Sequence, residues 1–239
     1  MPDFFCYDSL LRFFAHLKTT APLVQFHDAD GTHGILLRHD IDFDILPAYR
    51  LACLEYDANV ESTFFVMMTN QFYNPLSVRN SLMLREMVRM GFEIGLHFDP
   101  AICSYESHDA LTDRLEREVL ALEFALELER YEVQSVSLHQ PGNGGVFPVF
   151  KGFRNAYDPT FFSHDTYLSD SCRTFRGKEP YEFVKQASGR MVQVVLHPVY
   201  YSEYGQDYKG LLDHYIADIR QSSREFFHDC SKISDEEWK

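Results

Sequence analysis

Five short apolar runs in this chain of 239 residues each end in a histidine or an aspartate. Leu36-Leu37 leads into Arg38-His39-Asp40-Ile41-Asp42, and Ile94-Gly95-Leu96 into His97-Phe98-Asp99-Pro100. Val136-Ser137-Leu138 leads into His139-Gln140-Pro141, Tyr167-Leu168-Ser169 into Asp170, and Val194-Val195-Leu196 into His197-Pro198. Imidazole and carboxylate are the side chains that ligate divalent metals and move protons near neutral pH. If the first run stays extended, period two puts Arg38, Asp40 and Asp42 on one face and turns Ile41 away. Two carboxylates that close resist ionising together unless a cation lies between or beside them. One of the pair is therefore expected on a metal and the other free to act as a base.

The elements that would carry these residues alternate. Helical periodicity marks 7–18, 45–57, 77–90, 108–130 and 207–229, with Asp44 a candidate cap and Gly91 a stop. Strand-like runs cover 34–37, 62–66, 92–97, 136–138, 167–169 and 192–196. Strands alternating with helices imply a parallel sheet, and six or more such units in about 230 residues favour closure towards a barrel over an open sheet. Parallel strands share a direction, so their C-terminal ends, with all five polar termini, meet on one face. No repeat or linker divides the chain. One α/β domain is expected over residues 1–239, with the N- and C-terminal helices packed on the barrel.

Composition narrows the function. Apolar residues make up 45% of the chain, which excludes intrinsic disorder. Lysine and arginine number 22 against 36 aspartates and glutamates, a net charge of −14 that argues against nucleic acid and anionic lipid as partners. Five scattered cysteines include no CxxC pair, no apolar run is long enough for a membrane span, and Met1-Pro2-Asp3-Phe4-Phe5 lacks a basic secretory n-region. A reducing cytoplasm is the expected compartment.

The strand ends resemble a known family. Arg38-His39-Asp40-Ile41-Asp42 looks like the first motif of the polysaccharide deacetylases, carbohydrate esterase family 4, which carries two aspartates at a strand end. Glu61-Ser62-Thr63-Phe64-Phe65-Val66 is similar to that family's next strand. Gly91-Phe92-Glu93-Ile94-Gly95-Leu96-His97 is similar to the lead-in of its second motif, and Leu196-His197-Pro198 to its last. The resemblance spans residues 34–198 and implies a distorted (β/α) barrel of about seven strands that removes acetyl groups with a divalent metal. The chain departs from the pattern twice. Ala101 stands where the second motif has a second histidine, and His139-Gln140-Pro141 stands where an arginine is usual.

The resemblance implies Asp42 and His97 as metal ligands, with His139 the third or Asp99 in its place, and zinc, iron, cobalt or nickel all suit such a set. Zinc is the first expectation. Asp40 is then the base, His197 the general acid and Asp170 its orienting partner, with Arg38 or Arg173 pairing Asp40. Arg38, Asp99, Arg173 and Tyr200 are the expected substrate contacts. Tyr200, Tyr201 and Tyr204 either stack on sugar rings or fill the core. The expected activity is removal of an N- or O-acyl group from a carbohydrate or polysaccharide precursor, with surface polysaccharide synthesis the expected setting. Its rivals are a hydrolase of small non-sugar amides and a catalytically silent sugar-binding relative. Other features are read as structural: His16 and His228 belong to helices, His39 faces away from the site, and Cys172 is a small apolar filler. Gly142-Asn143-Gly144-Gly145 lacks the frame of a phosphate loop, and no GxSxG elbow supports serine hydrolysis.

Overall fold

Strand β1 (Gly34–Ile41) is buried at every residue, as a strand covered on both faces must be. In the computed structural model, which describes residues 4–102, 107–141 and 147–231, β1 lies near the middle of a seven-stranded parallel sheet. Its partners are β2 (Thr63–Val66), β3 (Glu93–Phe98), β4 (Ser135–Leu138) and β5 (Arg154–Asn155) on one side, and β7 (Met191–Leu196) and β6 (Tyr167–Ser169) on the other. The order β5-β4-β3-β2-β1-β7-β6 curls into a half-barrel, a distorted (β/α) barrel within a single α/β domain. Cys103 and the glycine-rich loop at 142–145 lie outside the described residues.

Alternation along β1 divides the core into layers. Ile35 and Leu37 pack outward with Leu10, Phe13, Phe14 and Leu17 of α1 (Tyr7–Thr20) and with Phe183 and Val184 of α5 (Pro180–Val184). Ile41 joins the layer under α2 (Ile45–Asp57), α3 (Val78–Arg89) and α4 (His108–Leu126). Leu36 points the other way, into a third cluster with Phe26, Phe65, Ala156, Phe161 and Met191 that fills the concave side. Asp44 caps α2 by accepting from Leu46 N at 3.2 Å, and α3 gives way to Gly91 at φ 95°, a backbone that favours glycine.

Gly95 is required by a close approach. A Cβ there would lie 2.5 Å from the Phe65 ring and closer still to Ser135 Oγ. The concave side is thus packed against the β3 backbone, one alternation below His97.

The helices match the periodic segments to within a few residues, except that α4 stops at Leu126 rather than running to residue 130, with Glu127 left-handed at φ 57°. Two short elements escape any periodicity, β5 with two residues and α5 with five. The last helix, α6 (Tyr208–Ser231), is mostly exposed, with Leu212, Ile216, Ile219 and Phe226 all near half accessible or more. Its attachment includes Tyr215, whose hydroxyl donates to Phe43 O at 3.4 Å and whose ring meets Phe72. No helix among the described residues is long and apolar enough to cross a membrane.

Candidate active site

Parallel pairing sets β3 beside β4 with His97 opposite Ser137, so both side chains rise on the concave face. His97 Nδ1 lies 2.5 Å from Ser137 Oγ, a contact that holds the ring and leaves Nε2 facing the strand ends. There it lies 3.2 Å from Asp42 Oδ1 and 3.1 Å from His139 Nδ1, and the third side, His139 Nδ1 to Asp42 Oδ1, is 3.4 Å. Ligands bonded to zinc at about 2.0–2.2 Å with angles near 90–110° stand about 2.8–3.6 Å apart. All three sides fit that triangle. Asp42 Oδ1 is also buried without a properly aligned hydrogen-bond donor among the described residues, the condition of a ligand atom awaiting a cation. Asp42, His97 and His139 are accordingly the group able to hold a metal. Asp99 is not part of it; its Oδ1 accepts from Ala101 N at 2.9 Å and caps the turn after β3.

The neighbours of Asp42 fix the β1 terminus. Asn70 Nδ2 donates to Asp42 O at 2.8 Å, and the Tyr73 hydroxyl donates to Ile41 O at 2.8 Å while accepting from Met67 N. Burial alone would raise the Asp42 carboxyl, but His139 and His97 beside it hold it well below the usual carboxylate range. His139 responds oppositely: burial lowers it, and Asp42 lifts it above the ordinary imidazole value.

Asp40, two residues earlier on the same face, is paired along its own strand. Arg38 Nε donates to Asp40 Oδ1 and Arg38 NH2 to Oδ2, both at 2.7 Å, a bidentate fork inside the barrel. A third donor of Arg38 reaches Gln193 Oε1 on β7 at 2.8 Å, and the guanidinium lies 5.3 Å from the Phe65 ring centre and 5.0 Å from that of Tyr157. Gln193 in turn donates to Ala156 O and Phe161 O, so the fork is braced from across the barrel. Burial pushes the Asp40 carboxyl up, yet Arg38 above all holds it below its ordinary value, keeping a charged carboxylate in a dry place. Arg38 therefore serves Asp40 and is fully buried.

The third group spans β6 and β7. His197 Nδ1 lies 2.6 Å from Asp170 Oδ1, the His197 backbone N–H donates to both Asp170 oxygens, and the Tyr201 hydroxyl donates to Oδ2 at 2.9 Å. Burial lowers the His197 imidazole, but Asp170 more than offsets it and the pKa stands at about 9. Its Nε2 faces Asp42 Oδ2 at 3.7 Å, beside the metal-ligand triangle.

Asp40, Asp42, His97, His139 and His197 line one cavity of about 460 Å³ whose walls are aromatic: Phe147, Tyr157, Phe162, Tyr167 and Tyr200. Of the three tyrosines, Tyr200 lines the cavity, its ring centre 5.5 Å from that of His197, whereas Tyr201 is buried behind Asp170 and Tyr204 is exposed. Arg173 is brought elsewhere, its guanidinium 4.7 Å from the Phe5 ring centre. His39 faces α2, bonded to Glu55 at 2.7 Å. Cys172 corrects its reading as an apolar filler: it is exposed, left-handed at φ 59°, and lines the cavity. Within 146–166, Tyr157 lines the site, Asn155 bonds the backbone of Phe150 and Phe153, Asp158 Oδ1 accepts from Thr160 N, and His164 is exposed.

No family model and no curated protein matches the chain. Solved structures similar to it include a CE4 family pseudoenzyme from Bacillus anthracis, 13% identical over 79% of this chain and 60% of that one, with a TM-score of 0.45. The Xyl-CE4 domain of a multidomain xylanase from the hindgut metagenome of Trinervitermes trinervoides is 13% identical over 80% of this chain and 82% of that one, with a TM-score of 0.43. A family 4 acetyl xylan esterase from Clostridium thermocellum, solved with a cobalt ion, is 18% identical over 79% and 84%, with a TM-score of 0.38. The chain spans less than two thirds of the pseudoenzyme's length.

Proposed function

We propose that this protein is a metal-dependent deacetylase acting on an acetylated carbohydrate. The observation that carries the reading is the meeting, in one aromatic-walled cavity, of a metal-ligand triangle, a charged carboxylate and a protonated imidazole. Asp42, His97 and His139 would hold the metal, zinc by the chemistry of two imidazoles and one carboxylate. When bound, such a cation polarises an acyl carbonyl and lowers the pKa of a nearby water.

The remaining work falls to side chains. Asp40, kept ionised by Arg38, takes the proton of the attacking water. His197, protonated at neutral pH and steered by Asp170 and Tyr201, gives a proton to the leaving amine or alcohol as the acyl bond breaks. The aromatic wall excludes water and offers faces against which a sugar ring packs. Ser137 fixes the orientation of His97, and Asn70 with Tyr73 fixes the backbone that presents Asp42.

The test combines metal content with turnover. Elemental analysis of the untagged protein is expected to find about one zinc per chain after reconstitution, lost in His97→Ala and in His139→Ala. Asp40→Asn should keep the metal and lose acetate release from acetylated amino sugars and xylosides, by 10²-fold or more. Metal retained in both histidine variants overturns the ligand set, and full turnover in Asp40→Asn overturns the base.

A further inference from the structure

Among the described residues, one lysine or arginine lines the cavity besides its candidate ligands and acids, and it has no part in the chemistry above. Arg176 lines the cavity, while Arg38 is consumed by Asp40 and Arg173 by the Phe5 ring. The loop that carries it begins at Asp170, whose carboxylate orients His197, so it is anchored to the catalytic groups at its start. At the other side, Phe175 stacks on Phe5 with ring centres 6.0 Å apart and meets Phe4 edge-on at 4.9 Å.

Immediately after the second anchor, Arg176 sits in a costly conformation. Arg176 has φ 51° and Gly177 has φ 83°, and Lys178 N donates to Phe175 O at 3.1 Å. Two positive φ angles inside a four-residue hydrogen-bonded turn mark the mirror-image turn whose first central position ordinarily belongs to asparagine, aspartate or glycine. An arginine there is disfavoured, and such strain gathers where a side chain has a task. Among the described residues the Arg176 side chain makes no ion pair, so its charge is open to a substrate anion at a cavity whose floor, Asp40 and Asp42, would otherwise repel one.

We infer that Arg176 is a specificity-determining residue and that the substrate bears an anionic group, a phosphate or a carboxylate, beside the acylated sugar ring. This rests on the deacetylase reading for the sugar but not for the anion. A guanidinium fork binds either oxyanion through paired N–H donors, and neutral acetylated sugars lack the group it fits.

Binding tests it without relying on turnover. Zinc-loaded Asp40→Asn protein is titrated calorimetrically with N-acetylglucosamine, its 1-phosphate, its 6-phosphate and its 6-carboxylate analogue. At least one anionic sugar is expected to bind about 10–100-fold more tightly than the neutral one, and which one does so separates phosphate from carboxylate. Adding Arg176→Asn should erase that advantage while raising the thermal midpoint, because asparagine suits the turn; a gain in stability rules out misfolding as the cause. Arg220→Asn on exposed α6 is the charge control. Equal binding of neutral and anionic sugars, no binding of any, or equal losses in Arg176→Asn and Arg220→Asn each overturns the inference. Acetate release is followed on the same ligands with the parent enzyme: Arg176-dependent binding with no release from any of them keeps the anion site and overturns deacetylation instead.

Discussion

Replacing Arg38 by methionine is the sharpest probe of how the Asp40 carboxylate is held. The substitution preserves a long unbranched stem but removes two 2.7 Å charge-assisted bonds to Asp40 and one of 2.8 Å to Gln193. Both partners of the ion pair are buried, Arg38 at 0% and Asp40 at 4% exposure, so water does not replace what is lost. Breaking a buried pair on one side costs about 3–5 kcal/mol, a large share of the roughly 5–15 kcal/mol that holds a domain folded. The assay is urea unfolding of zinc-free protein at pH 7 for Arg38→Met, Asp40→Asn and the double variant. Each single change strands a buried polar partner, so the double variant should cost at least about 2 kcal/mol less than the sum. The pH dependence has a fixed sign. Asp40 is depressed in the folded state, so its contribution is present above the unfolded carboxylate pKa and is lost as pH falls through the folded value. Without Arg38, burial pushes that carboxyl up, and acid unfolding should begin at a higher pH than in the parent. A cost below about 1 kcal/mol for Arg38→Met, or strict additivity in the double variant, would refute the reasoning.

Three further outcomes are expected. Ser137→Ala frees the His97 ring and should weaken zinc affinity about 10–100-fold, read by competition with a chromophoric chelator, while unfolding of the zinc-free protein changes little. In zinc-free protein the His197 pKa of about 9 lies above the unfolded value of 6.5, so its stabilisation is complete below pH 6.5 and fades as pH rises through 9. That fading amounts to about 3 kcal/mol, and His197→Gln should flatten the slope over that window in urea titrations. Gly95→Ala places a methyl against the Phe65 ring and Ser135, and should lower stability by about 1–3 kcal/mol; an unchanged urea midpoint would show that the concave core is looser than its contacts imply.

Much of this architecture was legible in the chain because its signals are local. An apolar run closed by a polar residue marks a buried strand and its C-terminal end, and period two alone separates Arg38, Asp40 and Asp42 from His39 and Ile41. The helices from α1 to α4 show as periodicity, and Asp44 as a cap. What stayed hidden depends on contacts between distant segments. Asn70 and Tyr73 reach back to β1 from a loop with no pattern, and Tyr157 arrives from the crossing after β5, an element of two residues. Ser137 and Gln193 were the missed clues with a readable signal: each is a polar residue inside an apolar strand, on the inward alternation. Arg173 was misplaced because the loop turns left-handed at Cys172 and Arg173, so simple spacing from Asp170 no longer predicts direction.

The two halves of the site differ in what secures them. Arg38 and Asp40 are i, i+2 neighbours on one strand, so their pairing survives any sliding of that strand against its neighbours. The candidate metal ligands come instead from the ends of β1 and β4 and from β3, and their triangle exists only in the observed register, with His97 beside Ser137 and Phe65 beside both Asp40 and Gly95. A one-residue slip of β3 would turn His97 to the helix side and put Leu96 or Phe98 in its place. Gly95 guards against that slip, because the Phe65 ring fills the space where any other residue of β3 would put a Cβ. The glycine therefore helps to specify the candidate metal site: it makes the register that brings His97 to Asp42 the one that packs.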